Sequence, residues 1–240
     1  MTVCWCVGAP PAMPCNAMQL RVVVDITNTL PGAAVWMSAC WGTIQDAVSQ
    51  GAMRKLFQQR GAPPFTVRPD LPAHVADRLR AFAIATMRDA VHAGQAVVGT
   101  AEQLEALIRS AQAHRVEWER AHDVSGGLPP VRVTTIVPLQ GTTAADVAQA
   151  AGICKVLRGG PAVTVVGRSL AIDVCDVTGA ARGTAEEAKG YRRQPEMPTE
   201  ARPGLFVAMF AGHPANACYI AASRCERLVS TKAAAEEAML

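Results

Sequence analysis

The sequence predicts an α+β fold, a small N-terminal α+β domain followed by an α/β sandwich domain, and three observations carry that expectation. From Arg21 to Phe57, short apolar strands, a Pro-Gly turn and an amphipathic helix follow one another. Over residues 79–175, strands alternate with helices that open on capping residues. Residues 176–204 then become rich in Gly, Pro, Arg and Glu, with Gln194-Pro-Glu-Met-Pro at their centre, as a linker does. The expected division is a poorly ordered lead-in at 1–20, a first domain at 21–69, a second at 70–175, and a linker with C-terminal extension at 176–240.

Residues 1–20 hold no Asp, Glu, Lys or Arg and are broken by prolines and glycines, hence the lead-in. Arg21–Ile26 reads as a buried strand. Pro31-Gly32 sets a turn, because proline fixes φ at its first central position and glycine accepts φ > 0 at the next. Val35, Trp36 and Met37 follow as an apolar strand, with Trp36 expected in the core. Thr43 with Asp46 suggests a cap for one helix whose face is Ile44, Val48, Ala52 and Phe57, and whose end is basic: Arg54, Lys55 and Arg60.

Phe65 and Val67 suggest a further strand. Asp70 and Pro72 open a helix with Val75, Leu79, Phe82, Ala83 and Thr86 on one face and Gly94 as its stop. Gln95–Val98 is then a strand, and Thr100 with Gln103 caps a helix through Leu104, Leu107 and Ile108. Arg115–Trp118 reads as a strand, and Val131, Val133, Thr135 and Val137 alternate as another. Thr143 with Asp146 opens a helix ended by Gly152. Ala162–Val166 and Leu170–Val174 read as strands, Leu205–Phe210 as one more, and residues 231–239 as a helix by propensity.

Composition narrows the function. Half the residues are apolar and 18% are charged, which suits a folded chain. No apolar run reaches the roughly 18 residues of a membrane span, and the N-terminus lacks a basic signal-peptide region, so a cytoplasmic protein without a membrane partner is expected. The net charge of +3 is small, but residues 51–92 gather Arg54, Lys55, Arg60, Arg68, Arg78, Arg80 and Arg88 against Asp70, Asp77 and Asp89. Eight cysteines at irregular spacing are expected as free thiols; Cys4, Cys6 and Cys15 lack the second close pair or histidine of a zinc site. No metal, cofactor or catalytic residue is expected. His122-Asp123 beside Ser125 invites a small α/β enzyme as an alternative, yet residues adjacent in sequence rarely point at one another.

The order Asp25, Leu30-Pro31-Gly32, Val35-Trp36-Met37-Ser38-Ala39 and Asp46 to Phe57 resembles the bacterial YlxR family, small proteins considered RNA-binding and typically encoded near transcription and translation factors. Ala93-Gly94-Gln95-Ala96-Val97-Val98-Gly99 and His122-Asp123-Val124-Ser125 resemble segments of the kink-turn-binding ribosomal protein family, which many proteobacterial members carry as a second domain. The resemblance covers residues 21–127. It implies an RNA-binding accessory protein of transcription or translation, with RNA as partner. Arg54, Lys55 and Arg60 are the primary nucleic-acid-binding candidates, Arg21 and His92 add charge, and Gly94 and Gly99 allow close backbone approach.

The chain departs from the family in three places. Ala33 and Ala34 stand where the turn normally reads Arg-Gly, Val91 and His92 where Arg-Lys is usual, and the basic cysteine motif is not recognisable in residues 1–20. Losing the turn arginine moves the expected phosphate contacts to the helix end. A degenerate non-binding relative or a protein-interaction module is therefore the second reading, and a charge-free stretch abutting Arg21 is also what a shifted reading frame would produce.

Overall fold

Strand β1, Thr2–Gly8, occupies a central place in the first of two four-stranded sheets, in a stretch expected to be a poorly ordered lead-in. The computed structural model describes residues 2–8, 20–26, 34–59, 65–122, 132–158, 163–179 and 204–237, and within them the fold is mixed α+β. The stretch forms a strand because Thr-Val-Cys-Trp-Cys-Val is rich in strand-favouring side chains. The chain divides into two compact units, one of Met1–Phe82 with Ala221–Leu240, the other of Ala83–Ile220.

The sheet of the first unit runs β3-β1-β2-β4. β1 is antiparallel to β2 (Leu20–Asp25), with Cys4 opposite Asp25, and to β3 (Ala34–Ser38), with Cys4 opposite Trp36. β4 (Phe65–Thr66) adds in parallel to β2. After β3 the expected single helix is two, α1 (Trp41–Ser49) and α2 (Ala52–Gln59). Gly51 sits between them at φ +66, and its N–H donates to the Val48 carbonyl, closing α1 before α2 begins. Cys40, not Thr43, is the N-cap of α1, so Thr43 lies inside the first turn. Ile44 of α1, Met53 and Phe57 of α2, and Val75 and Leu79 of α3 (Leu71–His92) are fully or almost fully buried. Ala222, Cys225 and Leu228 of the last helix, α7 (His213–Glu237), are buried in the same unit, where the Cys225 thiol donates to the Ala76 carbonyl.

The second unit is built on the sheet β5-β8-β6-β7. β5 (Ala96–Gly99) and β6 (Val133–Pro138) flank β8 (Phe206–Phe210), both antiparallel to it, and β7 (Thr164–Val165) lies parallel to β6. The segment expected to be an extension therefore supplies a central strand. Phe206, Val207, Ala208 and Met209 are all fully buried, since a strand paired on both edges and covered on both faces has no polar side. Helices α4 (Ala101–His122) and α5 (Ala144–Arg158) add Leu104, Ile108, Val147, Ala150 and Cys154 to the core that Ile136 and Phe206 centre.

Three local expectations are corrected here. Arg115–Trp118 lies within α4, because an alternation of charged and apolar residues over only four positions is too short to outweigh the surrounding helix. α5 continues through Gly152, where one exposed glycine costs about 1 kcal/mol and does not stop a helix with a buried face. Leu170–Val174 is not a strand: a 3₁₀ turn (Arg168–Leu170) leads to the short helix α6 (Val174–Thr178). Residues 180–203, most of the expected linker, lie outside the described residues. Among the described residues, no helix is long and apolar enough to cross a membrane, and no group of His, Cys, Asp or Glu is arranged to hold a metal ion.

Candidate nucleic-acid interface

Helix α2 is the strongest candidate. Its eight residues contain no acid, and its amphipathic pattern separates Met53 and Phe57, both buried, from Arg54, Lys55, Gln58 and Gln59, all exposed. Burying Phe57 stabilises the anchoring of this short helix by about 1.5–3 kcal/mol, far more than its intrinsic propensity provides. The cations therefore sit on a helix held from beneath. Each can swing its head group into water or onto a phosphate without disturbing the core.

The other candidates fall elsewhere. Arg60 lies outside the described residues. Arg21 is in β2, opposite Gly8 on one side and Thr66 on the other. His92, Gly94 and Gly99 belong to the second unit, so they do not share a unit with Arg54 and Lys55. Gly94, at φ +69, closes α3 with both bonds of a Schellman end: its own N–H donates to Val91 O, and the Gln95 N–H donates to Ala90 O. Gly99 makes room for the cap that follows, because a Cβ there would come within 2.9 Å of Gln103 Oε1. That oxygen accepts from the Thr100 N–H at 3.0 Å, and the Thr100 hydroxyl accepts from the Gln103 N–H at 3.3 Å. His92 is exposed at the end of α3, close to Gly179 at the C-terminus of α6; one turn earlier, Arg88 donates twice to the Asp176 carbonyl at 2.6 and 3.0 Å.

Trp36 was expected in the core and is 55% exposed. The strand alternation explains this: Met37 and Ala39 point to the core, so Trp36 and Ser38 point away. Trp41 is tied down at the start of α1. Its backbone N–H donates to the Thr231 hydroxyl at 2.9 Å, its indole N–H donates to Gln45, and the Lys232 ammonium lies 5.1 Å from its ring. The neighbouring Cys40 thiol is held below the ordinary thiol range by hydrogen bonds, first from the Thr43 backbone, then from the Thr43 hydroxyl, with Thr231 adding to them against a smaller effect of burial.

The second unit holds a cavity of about 310 Å³ at the junction of β6 and α5, lined by Leu139, Gln140, Thr142, Thr143, Val147, Arg168 and Ala171. Ala171 is the one non-glycine residue with positive φ among the described residues. The α5 end that faces this cavity is already closed by its own acid. Asp146 Oδ2 accepts from the Thr143 N–H at 2.9 Å and from its hydroxyl at 2.7 Å, and these bonds hold the carboxyl below its usual range. His122 ends α4, and Asp123 and Ser125 lie outside the described residues.

No protein-family model, no curated protein and no solved structure matches this chain.

Proposed function

We propose that the protein is a cytoplasmic RNA-binding accessory protein of transcription or translation, and that its phosphate contacts are made by Arg54 and Lys55 on α2. The observation that carries this reading is the exposed, acid-free polar face of α2 over buried Met53 and Phe57. Two adjacent cations on an anchored helix supply a sequence-independent attraction for a phosphate backbone. The resemblance of residues 21–127 to an RNA-binding family supports the same reading. The missing turn arginine, with Ala33 in its place, leaves the burden on α2.

The binding is electrostatic and weakens as salt rises. A gel-shift series across salt with the full chain and its Arg54→Ala/Lys55→Ala variant tests it. The double variant keeps its fold, since both side chains are exposed, and binds RNA more weakly. Absence of any shift by the wild-type chain at low salt contradicts the reading.

A further inference from the structure

The cavity of the second unit takes no part in the RNA-binding reading and stands independently of it. We propose that it is a binding site for a small organic acid, which seats an apolar body on Leu139 and Val147 and a single carboxylate on Arg168.

Its place in the sheet comes first. β6 and β7 run parallel, and the lining gathers at their carboxyl ends: Pro138 closes β6 and leads into the loop before α5, while Arg168 and Ala171 follow β7. The chain leaves the two strands toward opposite faces. After β6 it enters α5, whose Val147, Ala150 and Cys154 share a core with Ile136. After β7 it passes Gly167, where a Cβ would come within 2.9 Å of both Val137 Cγ1 and Leu170 Cδ1. Ile136 and Val137 are successive strand residues, so their side chains point to opposite faces. A crevice outside the carboxyl ends of parallel strands, where their connections part, is where open α/β sheets take ligands.

The walls are tied in place. The Leu139 N–H donates to the Leu205 carbonyl at 2.9 Å, the Gln140 N–H to the Ile172 carbonyl at 2.7 Å, and the Thr142 hydroxyl to the Leu205 carbonyl at 2.7 Å. The loop after β6 is thus fixed both to the entry of β8 and to the segment after the 3₁₀ turn. A pre-formed cavity of about 310 Å³ has the size of a small-molecule site. The lining then chooses the molecule. Pro138, Leu139 and Val147 are buried and form an apolar floor, whereas Gln140 and Arg168 are exposed and form a polar rim. Arg168 is the one charged residue of the lining. A guanidinium takes a carboxylate through two parallel N–H bonds, and a neutral ligand leaves that charge unused. A polyanion is disfavoured at the opposite wall, where Thr143 already holds the Asp146 carboxylate. One negative charge on an apolar body satisfies both sides.

The test titrates the full chain with benzoate and with its neutral isostere benzamide by calorimetry, for the wild type, Arg168→Gln and Ala144→Leu. Amide chemical-shift mapping locates the bound ligand, and circular dichroism checks that each variant is folded; both substituted side chains are exposed. The wild type binds benzoate saturably, more tightly than benzamide, with shifts at residues 138–144 and 168–171. Arg168→Gln weakens benzoate about ten- to hundredfold, the cost of hydrogen bonds to a charged group, and erases its preference over benzamide. Ala144→Leu places a larger side chain at the cavity wall and weakens both ligands. The proposal is overturned if the wild type shows no saturable benzoate binding, if it binds benzoate and benzamide equally, or if Arg168→Gln binds benzoate as the wild type does. None of these results bears on RNA binding by the first unit, which the gel shift across salt reads separately.

Discussion

Helices α4, α5 and α6 of the second unit treat their N-termini differently from α1 and α2 of the first. In the second unit, α4, α5 and α6 close themselves with the pairs Thr100–Gln103, Thr143–Asp146 and Asp173–Asp176, and carry Glu102, Asp146 and Asp176 in their first turns. In the first unit, α1 and α2 have no acid in the first turn, and the cap of α1 is a cysteine, Cys40, in place of a carboxylate. Helix N-termini attract anions through their unpaired N–H groups and dipole, and a carboxylate placed there satisfies both. Three helices that open in the second unit thus carry a carboxylate at their N-termini, whereas α7, which opens in the same unit, and α1 and α2 of the first carry none, and α2 adds Arg54 and Lys55. The difference teaches where a polyanion belongs. It supports the proposal that a polyanion is taken by the first unit, on chemistry that does not depend on the glycines of the second.

The comparison can be broken first at its scaffold. Phe206 is fully buried at the start of β8, and Phe206→Ala is expected to destabilise the second unit by about 3–5 kcal/mol in urea denaturation. A loss under 1 kcal/mol would mean that β8 is dispensable to the sheet it centres. The self-capping is sharpened by Thr143→Ala, expected to cost about 1 kcal/mol at neutral pH by the same measurement. Asp146 is held below its unfolded value of about 3.8, so its contribution is present above that pH and is lost as pH falls through the folded value. The gap between wild type and Thr143→Ala therefore narrows in acid; a gap that stays constant contradicts the capping bond. The smallest effect is a matter of order. Cys40 should be alkylated before Cys218 and Cys225 in mass-spectrometric time courses at neutral pH, because hydrogen bonds lower the first thiol while burial pushes the other two up to about 12 and about 11. Equal rates at all three would contradict the Thr43 and Thr231 contacts at Cys40.

Much of the local structure was legible because its causes are local. Thr100 with Gln103, and Thr143 with Asp146, reach each other across one helical turn, and Gly94 ends α3 by the conformation that glycine alone adopts freely. What depends on distant pairing was not legible. Nothing in Phe-Val-Ala-Met-Phe states that β8 lies between β5 and β6, and nothing in a charge-free N-terminus states that β1 lies between β2 and β3. The short run Arg115–Trp118 suits a strand or a helix until its neighbours decide. For the candidate site, the exposed cations of α2 followed from its helical period. Trp36 did not follow: Val35-Trp36-Met37 alternates in either phase, and only the burial of Met37 and Ala39 settles which side chain faces water.

The central claim is that the first unit binds RNA through Arg54 and Lys55. The most direct measurement is the slope of log affinity against log salt for oligouridine, taken for the wild-type chain and for Arg54→Ala/Lys55→Ala. The account predicts a wild-type slope that becomes shallower by about 1.4 in the double variant, the release of counterions from two phosphates of a single strand. Equal slopes and equal affinities in the two proteins would contradict it.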